Sequence, residues 1–78
     1  MKNVTIFTTP TCGYCHAAKD FFAEHKVPYQ EKDVAQDEAA RNEMLEKTGQ
    51  MGVPVIQVGE DIIIGFDQAR LQQLLELA

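Results

Sequence analysis

Two thiols, Cys12 and Cys15, stand two residues apart in Thr9-Pro10-Thr11-Cys12-Gly13-Tyr14-Cys15. That spacing serves a redox dithiol, half of a zinc site or, because His16 follows directly, covalent haem attachment; two unconnected core cysteines are the inert alternative. Only the thiolate attacks a disulfide, and a free cysteine with a pKa of ~8.5 is mostly protonated at neutral pH. A helix starting here would offer unpaired backbone N–H groups and the positive end of its macrodipole, both favouring a negative sulfur at Cys12 in the first turn. Cys15, three residues on, falls on the same helical face, within reach of a mixed disulfide formed at Cys12. Position therefore separates the roles: Cys12 is the exposed nucleophile and Cys15 the shielded resolving thiol.

The competing chemistries ask for more than the chain offers. A single-chain zinc site needs four ligands, and Cys12, Cys15, His16 and His25 lack zinc-finger spacing. Haem would require a second axial ligand, with Met44, Met51 or His25 as nominees, and an apolar pocket large enough for a porphyrin. The apolar residues are already committed to sheet and helices. His16 reads as a partly exposed helix residue whose protonated ring would favour the neighbouring thiolate.

The elements that must position the thiols follow from periodicity. Val4-Thr5-Ile6-Phe7-Thr8 is short, β-branched and apolar on both faces, as a buried central strand requires. From Gly13 to about Lys26, Cys15, Ala18 and Phe22 recur at helical spacing, which turns Cys15 inward. Val27 to Val34 predicts a strand with one wet side, and Pro28 restricts it to a start or an edge. A second helix spans Ala35 to Thr48, with Ala39, Ala40, Met44 and Leu45 as its apolar residues and Gly49 as its stop. Residues 52–58 and 61–64 form two strands around Gly59-Glu60, a hairpin turn with glycine at its first central position. Asp67 caps a last helix with Leu71, Leu74, Leu75 and Ala78 on one stripe. A right-handed first crossover then gives a four-stranded mixed sheet with helices packed over it.

Seventy-eight residues make one domain, 1–78, near the lower limit for a core without staples. A net charge of −5 with scattered cations argues against a nucleic-acid partner. No stretch approaches a membrane span, and the N-terminus enters a strand pattern without a signal-like run, so a cytoplasmic protein without a membrane partner is expected. In that compartment a cysteine pair is catalytic or metal-binding rather than a structural bridge.

Cys12-Gly13-Tyr14-Cys15 after a first strand, Val53-Pro54 before a hairpin and Gly65-Phe66-Asp67 opening the last helix together resemble the glutaredoxin-like members of the thioredoxin superfamily, over the full length. The resemblance implies an α/β thioredoxin fold of order βαβαββα and a cis peptide before Pro54 beside the thiols. Such a bend would turn the backbone of Val53 toward an extended peptide or the cysteinyl part of glutathione. It also implies a monomer that binds its substrate through Thr9, Pro10, Thr11, Gly13, Tyr14, Val53, Pro54, Gly65, Phe66 and Asp67. The substrate would be a disulfide-bearing protein or a glutathionylated molecule.

No tightly bound cofactor is implied; glutathione or thioredoxin reductase would donate electrons. Some members whose central dipeptide lacks proline hold a [2Fe-2S] cluster between two monomers with glutathione, and Gly13 occupies that dipeptide position, so a cluster carrier is the alternative function. Departures from the glutathione-using pattern are specific. Thr9 stands near the usual Lys, Gly52 replaces Thr, Phe66 replaces the second Gly, and Asp67 is followed by Gln68 rather than by a second acid. A missing cation and a bulky ring weaken the grip on glutathione carboxylates. The Gly-Phe pair instead resembles small redoxins reduced by thioredoxin reductase.

Overall fold

A computed structural model describes residues 3–50 and 52–75. Its elements run β1 (Val4–Thr8), α1 (Gly13–Glu24), β2 (Gln30–Asp33), α2 (Glu38–Thr48), β3 (Val55–Val58), β4 (Asp61–Ile64) and α3 (Gln68–Leu74). The sheet order is β2-β1-β3-β4. Strand β1 pairs parallel to β2, with Ile6 opposite Glu31, and antiparallel to β3, with Ile6 opposite Ile56. Strand β4 pairs antiparallel to β3 and forms the other sheet edge. The mixed sheet flanked by three helices is the one expected from the order of elements, and it is the thioredoxin fold that the resemblance implied.

Alternation along the strands divides the core in two. Val4 and Ile6 of β1, Ile56 and Val58 of β3 and Ile63 of β4 meet Ala18, Phe21 and Phe22 of α1 and Leu71 of α3. Phe7 and Val55 point the other way, onto Ala40 and Met44 of α2. Strand β1 thus buries side chains on both faces, which anchors the segment leading into the thiols. Helix α2 has Asp37 as its N-cap, accepting the Ala40 N–H at 3.1 Å, and stops at Gly49 in the left-handed conformation, φ +70. Gly59, φ +61, begins the two-residue turn between β3 and β4.

Several boundaries contract relative to the sequence expectation. Helix α1 stops at Glu24, where the His25 N–H returns to the Phe21 carbonyl and Lys26 adopts φ +55. Strand β2 begins at Gln30 rather than Val27; Val27 is a buried core residue outside the ladder. Helix α2 begins at Glu38 rather than Ala35, because the Asp33 carboxylate takes the Ala35 N–H in a local turn and Asp37 then caps. Strand β3 begins at Val55, after Pro54. Leu45 and Ala39, read as core, lie on the exposed side of α2. Ala78 and Met51 lie outside the described residues.

Candidate active site

The approach to the thiols is built by Pro10. The Cys12 N–H donates to the Thr9 carbonyl at 3.3 Å, closing a turn with Pro10 at its second position, where a fixed φ is favourable. Thr9, Pro10 and Thr11 therefore act as the corner between β1 and α1, and none of them lines the neighbouring cleft. Cys12 sits one residue earlier than the first-turn position expected: it is the N-cap of α1, in extended conformation at φ −87 and ψ 112. Its Sγ accepts the Cys15 N–H at 3.2 Å. A cap normally supplied by a Ser, Thr, Asp or Asn oxygen is here supplied by sulfur. Both cysteines are free thiols.

Cys15 is 1% exposed, as the helical spacing predicts. Burial, and next its hydrogen bond with Cys12, push its thiol up to about 12, against smaller opposing pulls from the Thr9 backbone and the Lys19 charge. Cys12, expected to be exposed, is half-buried, less covered than Cys15. Gly13 opens the space beside it: a side chain at that position would meet nothing within 4 Å.

Beside the dithiol lies a cleft of about 430 Å³, lined by Tyr14, Val53, Pro54, Ile64, Gly65, Phe66 and Asp67. Tyr14, 72% exposed, is the lining residue that lies between the two cysteines in sequence. The Val53-Pro54 peptide is cis, as the resemblance implied. The Gly65 N–H donates to the Pro54 carbonyl at 2.8 Å, extending the β3–β4 ladder by one step and holding the Gly65-Phe66 corner against the Pro54 loop. Gly65 has φ +92, a conformation that favours glycine. The Phe66 ring packs edge-on against Phe21 at 5.8 Å while also walling the cleft. Asp67 Oδ1 accepts the Arg70 N–H at 3.1 Å, capping α3.

Two features were not expected from sequence. Ile64, 59% exposed, is a cleft wall rather than a strand-core residue. Three consecutive isoleucines cannot all be buried in an edge strand, and this was the available signal. The second is a polar clip behind the thiols. Glu31 Oε2 accepts both the buried Thr8 hydroxyl and Lys19 Nζ, each at 2.9 Å. The Lys19 hydrogen bond is the leading cause that holds the Glu31 carboxyl below its ordinary value. Lys19 lies one helical turn after Cys15, the spacing from which its influence on that thiol could have been read.

The nominated zinc ligands Cys12, Cys15, His16 and His25 form no metal-holding group. Among the described residues, no group of three or more His, Cys, Asp or Glu could hold a metal ion. The His25 ring lies on Phe21, 4.3 Å between centroids, with Nδ1 3.0 Å from the Phe21 carbonyl, and Met44 is fully buried under α2. No helix among the described residues is long and apolar enough to cross a membrane.

The fold and the cysteine pair at the head of α1 define a protein of the thioredoxin superfamily. A glutaredoxin family profile matches residues 4–63, and the chain belongs to the glutaredoxin family. Glutaredoxin 3 of Escherichia coli is 39% identical over 67 residues, covering 86% of this chain and 81% of that protein. A glutaredoxin-like 8.6 kDa protein from the rubredoxin operon of Clostridium pasteurianum is 36% identical over 73 residues, covering 94% and 97%. Among solved structures, a point mutant of the thioredoxin-like protein BC3987 superposes with a TM-score of 0.92 at 33% identity, covering both chains completely. A buckwheat glutaredoxin–glutathione complex gives 0.74 at 28% identity, over 92% of this chain and 68% of that one.

Proposed function

We propose that the chain is a dithiol–disulfide oxidoreductase in which Cys12 is the attacking thiolate and Cys15 the resolving thiol. The observation that carries this reading is the Cys12 sulfur at the N-cap of α1, accepting the Cys15 N–H at 3.2 Å, with Cys15 itself buried. A hydrogen bond from a helix-terminal N–H strengthens when the acceptor is an anion. Burial favours the neutral form of Cys15, which stays a protonated thiol at neutral pH until a mixed disulfide forms beside it.

The cycle follows. The Cys12 thiolate attacks a substrate disulfide and one substrate sulfur leaves as thiolate. Cys15 then attacks the mixed disulfide at the Cys12 sulfur, its proton passing to the departing substrate thiolate, and a Cys12–Cys15 disulfide remains. The backbone at Val53-Pro54 and the walls formed by Tyr14, Gly65, Phe66 and Asp67 hold the substrate, a protein disulfide or a glutathionylated molecule. Glutathione or a flavin-dependent reductase returns the two electrons, and the protein acts as a cytoplasmic monomer. The cluster-carrier alternative has no observation of its own in its favour.

Substitution separates the roles. Cys12→Ser abolishes reduction of a glutathionylated peptide, whereas Cys15→Ser accumulates a Cys12 mixed disulfide visible as a mass adduct. Equal activity in the two variants would refute the division of labour.

A further inference from the structure

We infer that Gln50 is a positioning residue of the exchange site: its side-chain amide grips the backbone of Gly52 and thereby aims the Val53 N–H at the substrate. The inference rests on the exchange reading above and concerns how that site is held ready. Gln50 Oε1 accepts the Gly52 N–H, and Gln50 Nε2 donates to the Gly52 carbonyl at 3.2 Å. One planar amide thus closes on both polar backbone groups of a single residue, its carbonyl oxygen as acceptor and its NH2 as donor. The root of the side chain is fixed as well. The Gln50 N–H donates to Thr48 Oγ1 at 3.3 Å, and that hydroxyl donates to the Met44 carbonyl of α2 at 2.7 Å.

What the grip sets is a direction. The Gly52–Val53 peptide is trans, so the Gly52 carbonyl and the Val53 N–H point opposite ways in one plane. An amide that holds the carbonyl therefore orients the Val53 N–H, the donor that the reading above offers to an extended substrate. On the far side of Val53, the Pro54 carbonyl accepts the Gly65 N–H at 2.8 Å. Val53 stands between two anchored residues, and of the two anchors only that of Gln50 comes from a side chain. Gly52 occupies the position where the glutathione-using pattern has Thr, and the grip accounts for the glycine. A Cβ there would lie 2.6 Å from Gln50 Oε1, closer than such atoms pack, and the cheapest relief is for the flexible amide to swing away. Glutamine at 50 and glycine at 52 therefore work as a pair. The device serves alike any substrate with a peptide group beside its sulfur, since the cleft side chains take no part in the grip.

Two probes isolate the effect in single turnovers of the pre-reduced protein. A peptide holding its one cysteine as a mixed disulfide with 2-mercaptoethanol can pair with Val53; hydroxyethyl disulfide, which has no peptide group, cannot. In Gln50→Ala the peptide rate is expected to fall three- to tenfold while the hydroxyethyl disulfide rate stays within twofold. Gln50→Glu keeps an acceptor for the Gly52 N–H but at neutral pH has no donor for the Gly52 carbonyl, so it should match Gln50→Ala. Gly52→Ala should show the same split, and the double variant should be no worse than either single one, because each change removes the same grip. A wild-type peptide rate in Gln50→Ala or Gln50→Glu, losses that multiply in the double variant, or a hydroxyethyl disulfide rate that falls as far as the peptide rate each overturn the positioning role while leaving thiol exchange intact. Wild-type protein that fails to reduce hydroxyethyl disulfide overturns the exchange reading itself, and the positioning role with it.

Discussion

At Cys15, burial and the Lys19 charge pull in opposite directions, and burial is the larger. Desolvation keeps the proton on the sulfur, while the Lys19 ammonium, one turn along α1 and tethered to Glu31, eases its loss. Lys19→Met removes that charge and should slow closure of the Cys12–Cys15 ring by about two- to threefold, the size expected of a screened, partly exposed charge. The first attack by Cys12 should change less. Rapid-quench alkylation, which separates mixed disulfide from ring-closed product, measures both steps, and Glu31→Gln, which retains the lysine charge, is the control. The placement of both cysteines at the head of a helix, with Cys15 turned inward, was legible from the Cys-x-x-Cys spacing, because helical geometry is local. The clip from Thr8 and Lys19 to Glu31 was not, since it joins residues 23 positions apart through strand pairing that only the folded sheet establishes.

At the scale of elements, each helix start is set by a capping side chain: Cys12, Asp37 and Asp67 accept the N–H three residues on. Asp37→Ala should cost about 1 kcal/mol of stability by urea denaturation, with turnover unchanged, because α2 packs on the sheet face served by Phe7 and Val55 rather than against α1. A loss beyond about 2 kcal/mol would mean that the carboxylate does more than cap. Strand and helix types were readable from periodicity, but their ends were not. The expected early start of α2 failed because Asp33 turns its carboxylate onto the Ala35 N–H, a local competitor with helix that a polar run at 35–37 conceals. Val27 looked like strand because it is β-branched; its burial comes from packing below α1, outside any ladder.

On the scale of the whole molecule, the ion pairs of Lys19, Lys32 and Lys47 lie around the β2 edge of the sheet and α2. Glu43 accepts Lys32 at 2.7 Å and Lys47 at 2.8 Å, and these partners, Lys32 foremost, hold its carboxyl below the ordinary value; Lys19 does the same for Glu31. A depressed folded value means that the contribution is present above the unfolded value of 4.5 and is lost as pH falls through the folded one. Stability should therefore decline on acidification below about pH 4.5, and Glu43→Gln should flatten that decline in chemical denaturation measured across pH. Cys15 acts at the other extreme. Raised from 9.0 to about 12, its contribution is complete below pH 9 and lost on approach to pH 12. At this scale the order of elements gave the sheet arrangement, because short connections and a right-handed crossover leave few topologies. The acidic balance of the chain said nothing of where the pairs form.

In the cycle proposed above, the sulfur that caps α1 is also the atom that changes oxidation state. A thiolate is a strong acceptor for the Cys15 amide, whereas a divalent sulfur in a disulfide is a weak one, so each turnover loosens and refastens the opening of the helix. Amide deuterium uptake at Cys15 should accordingly be faster in the oxidised protein than in the reduced one. The fraying would give a partner a way to distinguish spent from charged carrier by backbone mobility alone.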